Sequence, residues 1–130
     1  MPRHPLALAL VAAASLGACA GTGPAANEWA DQLRADGWKP GATVPSIPDF
    51  RIDGFKALDA SHLVIYGGVD RRHLITFGSP CSGLLFAQRL GYSVPSGSLG
   101  RLDRLMVFGH QGIHVECVID SIQSLEKVTG

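Results

Sequence analysis

The chain has 130 residues, room for one small domain, and its 11 basic and 11 acidic residues leave the formal net charge at zero. That balance excludes the strongly basic face needed to hold a polyanion, so no nucleic acid is expected among its partners. Hydrophobic residues make up 46% of the chain; the Ala and Leu of the first twenty positions inflate that figure, yet the remaining residues still carry enough Val, Ile, Leu and Phe for one modest core.

The chain opens Met1-Pro2-Arg3-His4-Pro5 and continues from Leu6 to Leu16 as an uncharged run of Leu, Ala and Val. A short positive start followed by roughly 7 to 15 apolar residues is the layout of a secretory signal peptide, and such a run is too short to span a bilayer. Residues 1–18 are therefore expected to be an export segment. The run ends in Leu16-Gly17-Ala18-Cys19, which resembles the lipobox of bacterial lipoproteins, although Gly17 stands where Ala or Ser is more usual. The resemblance implies that the Cys19 thiol takes a diacylglyceryl group, that the peptidase cuts before it, and that the freed amine is acylated. Because Ala20 rather than Asp follows the Cys, the same resemblance implies the periplasmic face of the outer membrane. The alternative is an ordinary signal peptide cut near Ala18 or Ala20, which releases a soluble periplasmic protein.

From residue 19 to residue 27 the chain is small and turn-prone, as suits a flexible tether. Asn27 is placed to cap a short helix running to Asp36, with Trp29, Leu33 and Trp38 on one side and Gly37 as its stop. Pro40, Pro45 and Pro48 then punctuate an extended connector, so residues 28–48 read as helix plus connector and residues 49–130 as the main domain. Short runs rich in Val, Ile and Phe, parted by Gly, Asp and Ser at intervals of about ten residues, predict strands there. The first holds Phe50, Ile52 and Phe55 and bends at Gly54. The next two are Leu63 to Tyr66 and Leu74 to Phe77, joined through Gly67-Gly68. Leu84 to Leu90 reads as a short helix or loop. Leu105 to Phe108 and Ile113 to Ile119 form a hairpin around Gly109 to Gly112, and Ile122 to Val128 adds a last strand. The expected fold is mainly β: a small antiparallel barrel or roll of about six strands, behind a short helix and a Pro-rich connector.

With Cys19 assigned to lipid, Cys81 and Cys117 remain as an even pair, which in an oxidising compartment reads first as a disulfide. Alternation along the strand places Cys117 on the same inward face as Ile113 and Val115. A second reading starts from Cys81-Ser82-Gly83-Leu84-Leu85, followed by Leu105 to Phe108 and then His110 or His114. This outline resembles the papain-like peptidoglycan endopeptidases, in which a Cys opening a helix is the nucleophile and a later His its base. The chain departs from that pattern in three ways. The segment from Cys81 to His110 is short, Pro80 stands where Asp is usual, and no polar residue follows to orient the His. His110, His114 and Glu116 offer zinc-ligand chemistry, but His110 lies in a turn, and His four apart meet dependably only on a helix, so solvated side chains are expected and no metal. His62 and His73 read as strand-end residues. Arg71, Arg72, Arg89, Arg101 and Arg104 are interrupted by Asp70 and Asp103 and read as a solvated face. No cofactor-binding motif is present.

The sequence also shows Ile52-Asp53-Gly54-Phe55, Leu58-Asp59, His62 to Tyr66, Leu74-Ile75, Ser79-Pro80-Cys81-Ser82-Gly83-Leu84 with Phe86-Ala87, Arg104 to Val107, and Cys117. In this order they resemble a family of small proteobacterial lipoproteins known only as a domain of unknown function, the Pro-Cys-x-Gly-Leu segment being the most specific element. The resemblance supplies no activity, ligand or catalytic residue to carry over. The function expected is a non-catalytic envelope lipoprotein whose partners are the membrane, through its lipid, and another envelope or cell-wall component.

Overall fold

The computed structural model describes residues 28–68, 71–93, 97–112 and 114–129. The expected signal peptide, Cys19, the tether and the Asn27 cap lie outside the described residues. Among the described residues one α-helix, α1 (Glu28–Ala35), is followed by nine strands: β1 (Trp38–Val44), β2 (Ser46–Ile47), β3 (Gly54–Ala57), β4 (His62–Tyr66), β5 (Arg72–Phe77), β6 (Arg89–Tyr92), β7 (Leu99–Gly100), β8 (Arg104–Phe108) and β9 (His114–Lys127). Seven strands form one antiparallel sheet in the order β3-β4-β5-β9-β8-β6, with β1 also on β9, while β2 and β7 pair separately. The fold is thus mainly β, as expected. The sheet does not close on itself: β3 and β6 remain its two ends, so of the two closures expected the chain takes the roll and not the barrel.

α1 is short and amphipathic, with Leu33 as its single buried residue. It ends at Gly37, whose φ of +93° an L side chain would resist and whose amide donates to the Arg34 carbonyl. The connector expected through Pro40, Pro45 and Pro48 is extended, and part of it pairs: β1 lies antiparallel on β9, with a register shift between Pro40 and Thr43. Pro40 has no amide to donate, which an outer strand at an irregularity tolerates. The first strand expected from Phe50 begins only at Gly54; Phe50 is buried, but in a loop fixed by its amide bond to the Gly97 carbonyl.

β9 organises the sheet. Its first half pairs with β8 (Leu105 opposite Cys117), and its second half lies between β5 and β1, so that Ile122 faces both Ile75 and Val44. Between the halves, Phe77 is opposite Ile119 and Thr76 opposite Ser121, which leaves Asp120 as an extra residue. This bulge shifts the alternation by one. Cys117 and Ile119 before it and Ile122 after it therefore point into one core. The strands expected as Ile113–Ile119 and Ile122–Val128 are a single strand for this reason.

The sheet is covered on both faces. On one, Leu63, Ile65, Ile75, Phe77, Leu105 and Val107 pack against Ile47, Phe50, Leu84 and Leu99 from the β2–β7 ribbon and the loops. On the other, Val64, Leu74 and Leu125 pack against Leu33 and Leu58, flanked by Trp29, Trp38 and Tyr66. Among the described residues no polar or charged side chain is fully buried, as expected where there is no partner to offset desolvation.

Candidate functional site

After β5 the chain crosses the end of the sheet as a loop, residues 78–88, before entering β6. Its base is fixed three ways. The Cys81 amide donates to the Ala60 carbonyl at 2.7 Å, the Gln88 amide donates to the Phe108 carbonyl at 2.8 Å, and Cys81 is disulfide-bonded to Cys117 on β9 with a Cα separation of 5.7 Å. Both cysteines are buried. Their pairing follows the expectation from the cysteine count, and Cys117 points inward as alternation required. Val115 shares that face but lies at its rim, 37% exposed. Ile113 lies outside the described residues.

Between these anchors, Gly83 (φ +83°) starts a single 3-10 turn, Leu84–Phe86, where a short helix or loop was expected. Leu84 is buried in the core, whereas Leu85 is 55% and Phe86 76% exposed. Leu90, expected in the same element, lies instead in β6 and packs on the core. Two clefts flank the turn. One, of about 280 Å³, is bounded by Ser79, Pro80, Leu102 and Val118; the other, of about 240 Å³, by Gly83, Phe86, Val107 and His110; Ser82 and Val115 line both. A larger cleft of about 520 Å³ lies beside Thr43, Val44 and Ile122, and its two charged residues are linked, Arg101 donating to the Asp120 carbonyl at 2.8 Å.

The histidines do not converge on Cys81. His110 Nδ1 is 3.1 Å from Gln88 Nε2, and the His114 ring lies against Phe108 at 5.1 Å between centroids. His114 and Glu116 are both exposed, and Glu116 faces Arg104 at 3.8 Å. Among the described residues, no group of three or more His, Cys, Asp or Glu is arranged to hold a metal ion. The five arginines do not share a rim. Arg71 donates to the Pro48 carbonyl, Arg72 lies between the Trp38 and Tyr66 rings at 4.6 and 4.5 Å, and Arg89 covers Phe108 at 4.2 Å. His73 is half-buried; loss of hydration, and secondarily the Arg71 charge, hold its imidazole below the ordinary histidine range.

Sequence reasoning missed one cluster. Asp59 holds His62 Nδ1 at 2.8 Å and also accepts the Ser61 amide, while Trp29 stacks flat on the His62 ring with centroids 4.2 Å apart. The Asp59-x-x-His62 spacing was available as a turn signal, but the Trp29 contact joins residues far apart in sequence. Its effect is to dock the start of α1 against the loop before β4.

These features define a class: an antiparallel β roll, helix-covered on one face and disulfide-stapled at a loop that presents an apolar turn. The sequence profile of the family of unknown function DUF6491 matches residues 2–129, and the chain belongs to that family. The match is broader than the resemblance drawn from the residues after Pro48, since it also takes in the segment ahead of the domain. No curated protein matches the chain, and no solved structure does. Among the described residues no helix is long and apolar enough to cross a membrane.

Proposed function

We propose that this protein is a non-catalytic lipoprotein of the bacterial envelope, exported and then tethered by lipid on Cys19 at the periplasmic face of the outer membrane, where it binds another envelope component. The observation that carries the reading is the division of the three cysteines. Cys81 and Cys117 are consumed in a buried bridge, a linkage that persists best in an oxidising compartment. The remaining Cys19 follows Leu16-Gly17-Ala18 at the end of an uncharged apolar run. Two or more acyl chains, at about 0.8 kcal/mol per buried methylene, suffice for firm anchoring. The same bridge withdraws the sulfur that the peptidase reading needs, because a disulfide sulfur is not a thiolate nucleophile.

The test is the mass of the mature N-terminal peptide from native membranes. The expected result is a peptide beginning at Cys19 with its acyl groups; a peptide without acyl groups overturns the anchor. Thiol titration of the folded, unreduced protein checks the other half of the reading, with no reactive thiol expected at Cys81 or Cys117.

A further inference from the structure

The 3-10 turn Leu84–Phe86 has no structural reason to display its last two side chains. Leu84 alone fills the core, and Leu85 and Phe86 stand 55% and 76% exposed. From Gly78 to Gln88 the sequence contains no Asp, Glu, Lys, Arg or His. The turn also pairs part of its own backbone. The Leu84 amide donates to the Cys81 carbonyl, the Phe86 amide to the Gly83 carbonyl and the Ala87 amide to the Leu84 carbonyl. An apolar, uncharged turn with these three amides already paired loses less on leaving bulk water than an open loop would, and the groups left over can stay hydrated at the interface, where water is still present.

Its position relative to the tether supplies the occupant. Trp29, one residue inside the start of α1, stacks on His62 at the start of β4. In the preceding loop, the Ser61 carbonyl accepts the Phe77 amide and the Ala60 carbonyl accepts the Cys81 amide. The helix start and the base of the stapled loop are thus joined through one short segment at one end of the sheet. Cys19 is nine positions before Glu28, a maximum reach of about 30 Å at ~3.3 to 3.6 Å per residue. A lipid on Cys19 therefore holds the start of α1 within about 30 Å of the bilayer, nearer than it requires of any other part of the domain.

We infer that Leu85 and Phe86 form a membrane-contact turn that seats the domain on the same bilayer that holds its lipid. This rests on the tethered reading proposed above, and it commits to a neutral phospholipid surface, since the turn offers no charge for an anionic one. Two apolar side chains enter the interfacial region, while the Cys81–Cys117 bridge holds the turn rigid behind them, so little ordering entropy is lost on contact.

The test separates contact from acylation. The mature chain carrying Cys19→Ser and an N-terminal histidine tag is held on phosphatidylcholine vesicles containing nickel-chelating lipid. Phe86→Trp then reports insertion by its emission and by quenching with brominated lipid, measured against the parent with its two native tryptophans. Val128→Trp is the control, because the Val128 amide bonds to the Gly37 carbonyl beyond the opposite end of α1. The expected result is a blue shift and quenching at position 86 and neither at 128. A second measurement, without the tag interaction, compares vesicle partitioning of the same chain with Leu85→Ser plus Phe86→Ser, expected to fall about tenfold with the near-ultraviolet circular dichroism unchanged. Equal signals at the two positions, or unchanged partitioning, overturn the inference. So does a dimer in sedimentation that Phe86→Ser dissolves, which would make a second copy the occupant. None of these outcomes depends on whether Cys19 is acylated, so failure of the anchor and failure of the turn are distinguishable.

Discussion

Two regions of the sheet are held by different means. On the face under α1, cohesion is non-covalent: Leu33 packs with Leu58, Val64, Leu74 and Leu125, and Arg72 lies between Trp38 and Tyr66. At the loop leading into β6, a covalent bond between Cys81 and Cys117 does the corresponding work. Packing requires side chains to be buried in order to stabilise. A disulfide acts mainly on the unfolded chain, and it leaves neighbouring side chains free to face outward. The stapled loop can therefore display Leu85 and Phe86, while the helix-covered face has nothing comparable to spare.

Breaking the staple should have the largest effect. The bridge closes a sequence separation of 36 residues, so C81A/C117A is expected to lose about 4 kcal/mol of unfolding free energy, measured by denaturant titration. Leu33→Ala tests the packed face. It should cost about 3 kcal/mol, and it should weaken the near-ultraviolet signal of Trp29 as the helix loosens from His62. If the two regions are independent, the two losses add within about 0.5 kcal/mol.

Acidification offers a finer distinction. The folded-state pKa of His73 is lowered, so the unfolded chain takes up its proton first. The stability this residue contributes is complete above its ordinary unfolded value near 6.5 and is lost as the pH falls below that value. The groups facing it are Arg71, Arg51 and Asp49, and none belongs to the stapled loop. The acid loss between pH 7 and pH 5 should therefore be equal with and without the disulfide, and His73→Gln should reduce it in both. The smallest effect is expected at the turn itself. Phe86→Ser should move stability by less than about 0.5 kcal/mol, because the side chain makes no buried contact to lose.

Much of this arrangement is legible in the sequence. β4, β5 and β8 announce themselves as Leu-Val-Ile-Tyr, Leu-Ile-Thr-Phe and Leu-Met-Val-Phe, because strands buried on one or both faces need such residues. The cysteine pair follows from counting. β1 is hidden, because Trp-Lys-Pro-Gly-Ala-Thr-Val carries the residues of a connector, and its partner is β9, with paired positions 78 to 89 residues apart. β6 is hidden for a similar reason: Arg-Leu-Gly-Tyr has one aliphatic side chain, and at Gly91 a Cβ would come within 2.9 Å of the Phe108 ring and push it aside. The Asp59, His62 and Trp29 cluster depends on α1 docking, which no local pattern encodes. The exposed turn was invisible for the opposite reason, since Leu-Leu-Phe reads as core until the fold shows that only its first residue is used as core.

The extra residue at Asp120 governs where the chain can change length. Because strand faces alternate with a period of two, losing one residue between Ile119 and Ile122 would turn one half of β9 over relative to the other. Either Cys117 would leave the reach of Cys81, or Ile122 would leave the core. The turn at Gly109–Gly112 is under no such constraint, for it connects β8 to β9 outside the ladder. Insertions and deletions should therefore be readily accepted in that turn and rejected at the centre of β9, where chain length is fixed to a single residue.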